Sequence, residues 1–107
     1  MARPKSTIIL TGANGGLGSA IVSQIASLEL TRHHGLYTVR NTMAAPNLSS
    51  ALEAARSTHP HSSDALALDL TNLTNIREVA ATINRRVQTG EIPPIRALTL
   101  NAGWQEY

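Results

Sequence analysis

Short apolar runs alternate with segments in which apolar residues recur every three or four positions. Thr7-Ile8-Ile9-Leu10-Thr11 predicts a buried strand. It leads directly into Gly12-Ala13-Asn14-Gly15-Gly16-Leu17-Gly18. Leu17, Ile21, Ile25 and Leu28 then follow as the stripe of an amphipathic helix, and Gly35, just past the polar Thr31-Arg32-His33-His34, reads as its stop. Leu36 to Val39 predicts a second strand, ending at Arg40. Asn41 to Asn47, with Pro46, reads as a loop. Leu48, Leu52 and Ala55 mark a second helix, and Ser57 to Ser63, with Pro60, a second loop. Ala65 to Leu68 predicts a third strand, ending at Asp69-Leu70. A third helix carries Leu73, Ile76, Val79 or Ala80, Ile83 and Val87 on one face and stops at Gly90 and Pro93-Pro94. Ile95 to Leu100 predicts a fourth strand, running into Asn101-Ala102-Gly103.

The order β-α-β-α-β-α-β argues for a parallel sheet with covering helices, because parallel neighbours need a crossover between them. The expected fold is α/β and Rossmann-like: a doubly wound parallel sheet of four strands, order 3-2-1-4, with helices on both faces. A length of 107 residues fits one domain. With no Phe and 3% aromatic residues, the core must be built from Leu, Ile, Val and Ala. No cysteine is present, which excludes disulfides and thiolate chemistry. The net charge of +2 comes from scattered basic residues, so no nucleic-acid partner is expected. No apolar run approaches the ~18 residues of a membrane helix or shows the plan of a signal peptide. A cytoplasmic protein without a membrane partner is the expectation.

The chemistry concentrates in the glycine-rich turn. Placed between a strand and a helix, it suits a dinucleotide. Gly12 permits a sharp exit from the strand, Gly16 lets a pyrophosphate approach the backbone, and Gly18 permits close helix packing on the sheet. The helix N-terminus supplies N–H groups and a positive dipole end. A P-loop is excluded, since the only lysine, Lys5, lies upstream of the first strand.

Thr11-Gly12-x-x-x-Gly16-x-Gly18 resembles the TGxxxGxG signature of the short-chain dehydrogenase/reductase family. Asp69-Leu70 is similar to that family's acidic pair at the adenine ring. Asn101-Ala102-Gly103 resembles its NNAG motif, with Leu100 in place of the first Asn. The resemblance runs along essentially the whole chain. It implies cofactor contacts from Gly12, Asn14, Gly16, Leu17 and Gly18 in the turn, from Asp69 and Leu70, and from Asn101, Ala102 and Gly103. Asp69 could instead cap the third helix with Thr71 or Asn72, and Asn101 could bond backbone across the strand ends.

The end of the second strand decides how the adenosine ribose is held. An acidic residue there favours NAD, and a basic one favours NADP. Arg40 stands there, with no acid between Leu30 and Leu52, so NADP(H) is the expected cofactor. The alternative is a solvated loop arginine.

The family resemblance implies hydride transfer between a nicotinamide and a carbonyl or alcohol, with catalysis by a Ser and a Tyr-x-x-x-Lys pair. Tyr37 has no Lys after it and Tyr107 is the last residue, so no catalytic residue is assigned. The chain reads as the N-terminal, cofactor-binding half of a Rossmann domain, residues 1–107, truncated after strand four. As an alternative, it is a non-catalytic dinucleotide-binding or interaction module that pairs or self-associates through an open fourth strand. His33-His34 and His59-Pro60-His61 fall in expected loops and lack further ligands, so no metal is expected. Arg85-Arg86 reads as a solvated helix face. Trp104 either covers the cofactor or lies over the sheet end.

Overall fold

The computed structural model describes residues 4–27, 33–56 and 61–101. Its elements are β1 (Ser6–Leu10), α1 (Gly16–Ser27), β2 (His33–Val39), α2 (Pro46–Arg56), β3 (Ser63–Ala67), α3 (Leu73–Gln88) and β4 (Ile95–Thr99). The sheet is fully parallel in the order β3-β2-β1-β4, as the alternating pattern requires. Leu28, Thr31, Arg32, His59 and Pro60, which enter the expectations above, lie outside the described residues.

Three boundaries differ from the expected ones. Gly35 is not a helix stop, and His33-His34 is not a loop: all three belong to β2, where Gly35 pairs with Ile8 on one side and Ser63 on the other. Polar side chains at this end of the strand find lateral partners, although His34 Nε2 is buried without one among the described residues. Ser6 Oγ meets His33 Nδ1 at 2.5 Å, and Ser62 Oγ meets His34 Nδ1 at 2.7 Å. Ser63, expected in a loop, opens β3 and pairs with Gly35. Helix α2 begins at Pro46, inside the expected loop, since a proline's fixed φ and missing N–H suit a first helical position.

Side chains alternate between the two faces of the sheet. Leu10, Tyr37 and Val39 pack with Val22 of α1 and with Leu48 and Ala51 of α2. Ile9 and Leu36 pack with Ile92, with Ile83 and Val87 of α3 set against them. Burial on both faces explains why these strands read as continuous apolar runs. Leu17 and Leu73, counted in the helical stripes, are exposed at the first turns of α1 and α3. Arg86 is not on a solvated face. Its side chain is 15% exposed and ion-paired with Asp64 at 2.5 Å and Glu91 at 3.3 Å. Strand β4 is exposed throughout, with Ile95 and Leu98 at 41% and 57%, and Leu100 just beyond it at 75%. No helix among the described residues is long and apolar enough to cross a membrane.

Tyr37 is the largest fully buried side chain. Its ring folds back over Gly35, where an added Cβ would lie 2.7 Å from Tyr37 Cε2, so this strand position must be glycine. The Tyr37 hydroxyl reaches His61 Nε2 at 2.6 Å. Burial pushes the phenol pKa up, so Tyr37 stays protonated and donates to a neutral imidazole. Burial also holds His34 and His61 below their usual value. Asp64 partly offsets this at His34 and Arg86 adds to it, while His34 adds to it at His61.

The unfolded chain therefore takes up protons at these histidines before the folded one does. Their contribution is complete above pH 6.5 and is lost as pH falls from there through the folded pKa values. For Tyr37 the unfolded chain loses its proton first, so stability falls as pH rises above 10.0. A thermal-unfolding profile should be flat between these limits and fall on both sides. A His34→Gln/His61→Gln variant should flatten the acid limb between about pH 6.5 and 5, ahead of most carboxylate titration.

Candidate functional site

The site lies at the carboxyl ends of the strands. As β1 ends, Thr11 N–H donates to the Thr99 carbonyl of β4 at 3.1 Å and Ala13 N–H to the Thr38 carbonyl of β2 at 3.1 Å. Between them Gly12 takes φ +68°, a left-handed conformation that favours glycine. Gly15 N–H closes the turn onto the Gly12 carbonyl at 3.2 Å, and Ser19 N–H starts α1 on the Gly15 carbonyl at 2.8 Å.

The other glycines of the motif have different reasons. A Cβ at Gly18 would overlap the Gly12 carbonyl oxygen, lie 2.8 Å from the Gly12 carbonyl carbon and 2.9 Å from Asn101 Nδ2. The close approach that Gly18 permits is thus to the turn itself, rather than to the sheet at large. A Cβ at Gly16 would meet nothing within 4 Å. Gly16 and the exposed Leu17 open α1, where first-turn N–H groups have no intrahelical acceptor.

Asn101 braces the turn from the end of β4. Its N–H donates to Thr11 Oγ1 at 3.0 Å and its Nδ2 to the Gly12 carbonyl at 3.2 Å. It bonds across the strand ends, the role left open by its sequence position. Ala102, Gly103, Trp104 and Tyr107 lie outside the described residues.

A cleft of about 410 Å³ separates the turn from the end of β2. Gly12, Asn14 and Gly15 line one side, and Val39, Arg40, Asn41 and Ala44 the other. Arg40 is exposed there. Asp69 lies within electrostatic reach of it. The Thr71 hydroxyl, at 2.6 Å, and then the Thr71 N–H, at 3.0 Å, hold the Asp69 carboxyl below the usual carboxylate range, with Arg40 adding to the effect. Both Thr71 bonds fall on Asp69 Oδ1. The cap of α3 is Asn72, whose side chain accepts from Asn75 N–H. Leu70 is exposed beside Asp69. Among the described residues, no three His, Asp or Glu side chains converge as a metal site.

Two contributors were not foreseen. Asn75 Oδ1 accepts the Asp69 N–H at 2.7 Å and so fixes the backbone that carries the carboxylate. Asn14 Oδ1 accepts from Asn47 N–H and Leu48 N–H of α2, at 2.9 and 3.1 Å. The readable signal for the second was Ala45-Pro46, a helix start without a capping side chain of its own.

Gly18→Ala should destabilise the fold by about 1–3 kcal/mol, because backbone cannot yield as a flexible side chain can. Gly16→Ala should unfold within about 0.5 kcal/mol of wild type, since its Cβ meets no neighbour. Paired thermal melts check both.

No family model matches the chain. It is 51% identical over 105 residues to the short-chain dehydrogenase iccH of Talaromyces variabilis, covering 95% of this chain and 28% of that protein. The fold is similar to that of an NADPH-bound carbonyl reductase from chicken fatty liver, with a TM-score of 0.70 and 23% identity over 98% of this chain and 37% of the other. A bulky-bulky ketone specific alcohol dehydrogenase from Comamonas testosteroni gives a TM-score of 0.67 at 22% identity, over 95% and 36% of the two chains. A ketoreductase domain from the bacillaene assembly line gives 0.71 at 19% identity, over 97% and 23%. The chain thus spans between 23% and 37% of the length of these proteins. With its three motif segments in order and its sheet wound 3-2-1-4, the chain belongs to the short-chain dehydrogenase/reductase family.

Proposed function

We propose that this chain is the NADP(H)-binding part of a short-chain oxidoreductase that moves a hydride between a nicotinamide and a carbonyl or alcohol. The observation that carries the reading is the cleft that joins the glycine turn to Arg40. The space at Gly16 and the N-terminus of α1 accept a pyrophosphate. Arg40, a planar donor that is always charged, accepts the additional 2′-phosphate of NADP. Asp69, held ionised, is an acceptor for the N–H or O–H groups of the adenosine. When bound, the dinucleotide supplies the hydride. The similarity to an NADPH-bound carbonyl reductase supports this choice of cofactor.

Tyr37 is fully buried on β2 and its hydroxyl is bonded to His61, so it serves the core. Residues 1–107 act in this reading as the dinucleotide-binding half of the domain, in the cytoplasm.

A second reading is favoured by the exposed apolar residues of β4. It makes the chain a binding or interaction module that pairs through that strand. Carbonyl turnover by this chain joined to a segment that carries the Ser and the Tyr-x-x-x-Lys pair selects the first reading. Association through β4 with no turnover in the joined protein selects the second.

Titration with NADPH and NADH, followed by nicotinamide fluorescence, tests the cofactor. NADPH should bind more tightly, and Arg40→Ala should remove about tenfold or more of that preference, the size of one charge-assisted contact. Gly16→Ala should weaken both cofactors alike. Equal affinity of the wild type for the two overturns the assignment.

A further inference from the structure

Helix α2 starts without a cap of its own. The residue before it, Ala45, has no side-chain acceptor, and Pro46 has no N–H to satisfy. The next two N–H groups, of Asn47 and Leu48, both donate to Asn14 Oδ1, at 2.9 and 3.1 Å. Only at Ser49, whose N–H reaches the Ala45 carbonyl at 3.0 Å, does the helix begin to satisfy itself. Asn47 Nδ2 returns a bond to the Asn14 carbonyl at 3.0 Å. The glycine turn and the start of α2 are therefore clasped in both directions by two asparagines 33 positions apart.

Arg40 sits in the segment that this clasp closes. On one side it follows Val39, the last residue of β2. On the other runs a turn in which the Asn41 side chain accepts Met43 N–H at 2.9 Å and the Asn41 carbonyl accepts Ala44 N–H at 3.1 Å. That turn leads straight to Pro46 and the clasp. Residues 40–45 are thus a short span fixed at both ends, and the far end is fixed by Asn14. The same Asn14 lines the cleft opposite Arg40.

We propose that Asn14 is a positioning residue for cofactor selectivity: by clasping α2 through Asn47 and Leu48, it sets where Arg40 stands across the cleft. The proposal rests on the NADP reading above. Its physical basis is preorganisation. A cation held in place loses little freedom when it engages a phosphate, whereas one on a loosened span must be ordered first. Loosening the span therefore costs the contact made only by the 2′-phosphate. It leaves the contacts at the glycine turn, which both cofactors share.

The test measures NADPH and NADH dissociation constants for the purified protein and its Asn47→Ala, Asn14→Ala, Arg40→Ala and Asn47→Ala/Arg40→Ala variants. Asn47 does not line the cleft, and Asn47→Ala removes only its Nδ2 bond to the Asn14 carbonyl while the backbone N–H bonds to Asn14 Oδ1 remain, so the variant keeps the fold. It should lower the NADPH:NADH preference about threefold, and Asn14→Ala about fivefold or more, the range of one or two net hydrogen bonds. In the Arg40→Ala background, Asn47→Ala should change the preference no further, because its effect runs through Arg40. A wild type without preference overturns the NADP reading and this proposal together. A wild type that prefers NADPH, with an unchanged ratio in Asn47→Ala, overturns the proposal alone. So does a parallel loss of both cofactors in Asn14→Ala with Asn47→Ala unaffected, which would make Asn14 a direct contact. If Asn14→Ala does not fold, Asn47→Ala and the double variant decide the matter.

Discussion

The Gly12 carbonyl is the point on which the carboxyl end of this sheet is organised. It accepts Gly15 N–H, which closes the turn, and Asn101 Nδ2, which comes from the end of β4. Gly18 of α1 is packed against it so closely that no side chain fits between. The carbonyl can point this way because Gly12 is left-handed. One unusual backbone conformation thus brings together the end of β1, the start of α1 and the residue beyond β4. The helix N-terminus ends up aimed over the strand ends, and no single contact among these would place it there.

The opposite end of the sheet follows a different logic. There the strands begin with polar residues, and hydroxyl–imidazole pairs join neighbouring strands: Ser6 with His33, and Ser62 with His34. Tyr37 extends the pattern inward by carrying a hydroxyl into the core and meeting His61 there. Buried polar groups of this kind are tolerated only when paired. The pairing therefore fixes the register of β2 as firmly as the apolar contacts do. It also gives the fold its sensitivity to acid, because burial disfavours the charged forms of His34 and His61. Folding chemistry and cleft chemistry are in this way kept at opposite ends of the same strands.

Much of this was legible in the residues. The strand and helix order follows from apolar periodicity, and the sheet order from the resemblance carried by the motifs at the strand ends. Gly12 and Gly18 each occupy a position with its own steric reason, a left-handed backbone at one and contact with the Gly12 carbonyl at the other, whereas a Cβ at Gly16 would meet nothing. The errors share one cause. His33, His34 and Gly35 looked like a helix end because their polarity was read locally, while their partners, Ser6 and Ser62, lie 27 and 28 positions away. Arg86 looked solvated for the same reason, since Asp64 lies on another element. Asn14 lines the cleft, but its bonds to α2 depend on tertiary proximity that no periodicity encodes.

The two charged side chains near the cleft divide its chemistry. Arg40 is donor-only, so a partner must bring acceptor oxygens. Asp69 is held ionised, chiefly by Thr71 and then with help from Arg40, so it is acceptor-only and its partner must bring N–H or O–H donors. A ligand that satisfied both would need an anionic group and a hydrogen-bond donor on one rigid frame, which is the makeup of a phosphorylated adenosine. Asp69 also keeps the local charge near balance, which limits attraction of anions that lack the donor half. In the proposed reading, discrimination in such a cleft comes from the pair, with Arg40 providing the attraction and Asp69 the condition on what is attracted.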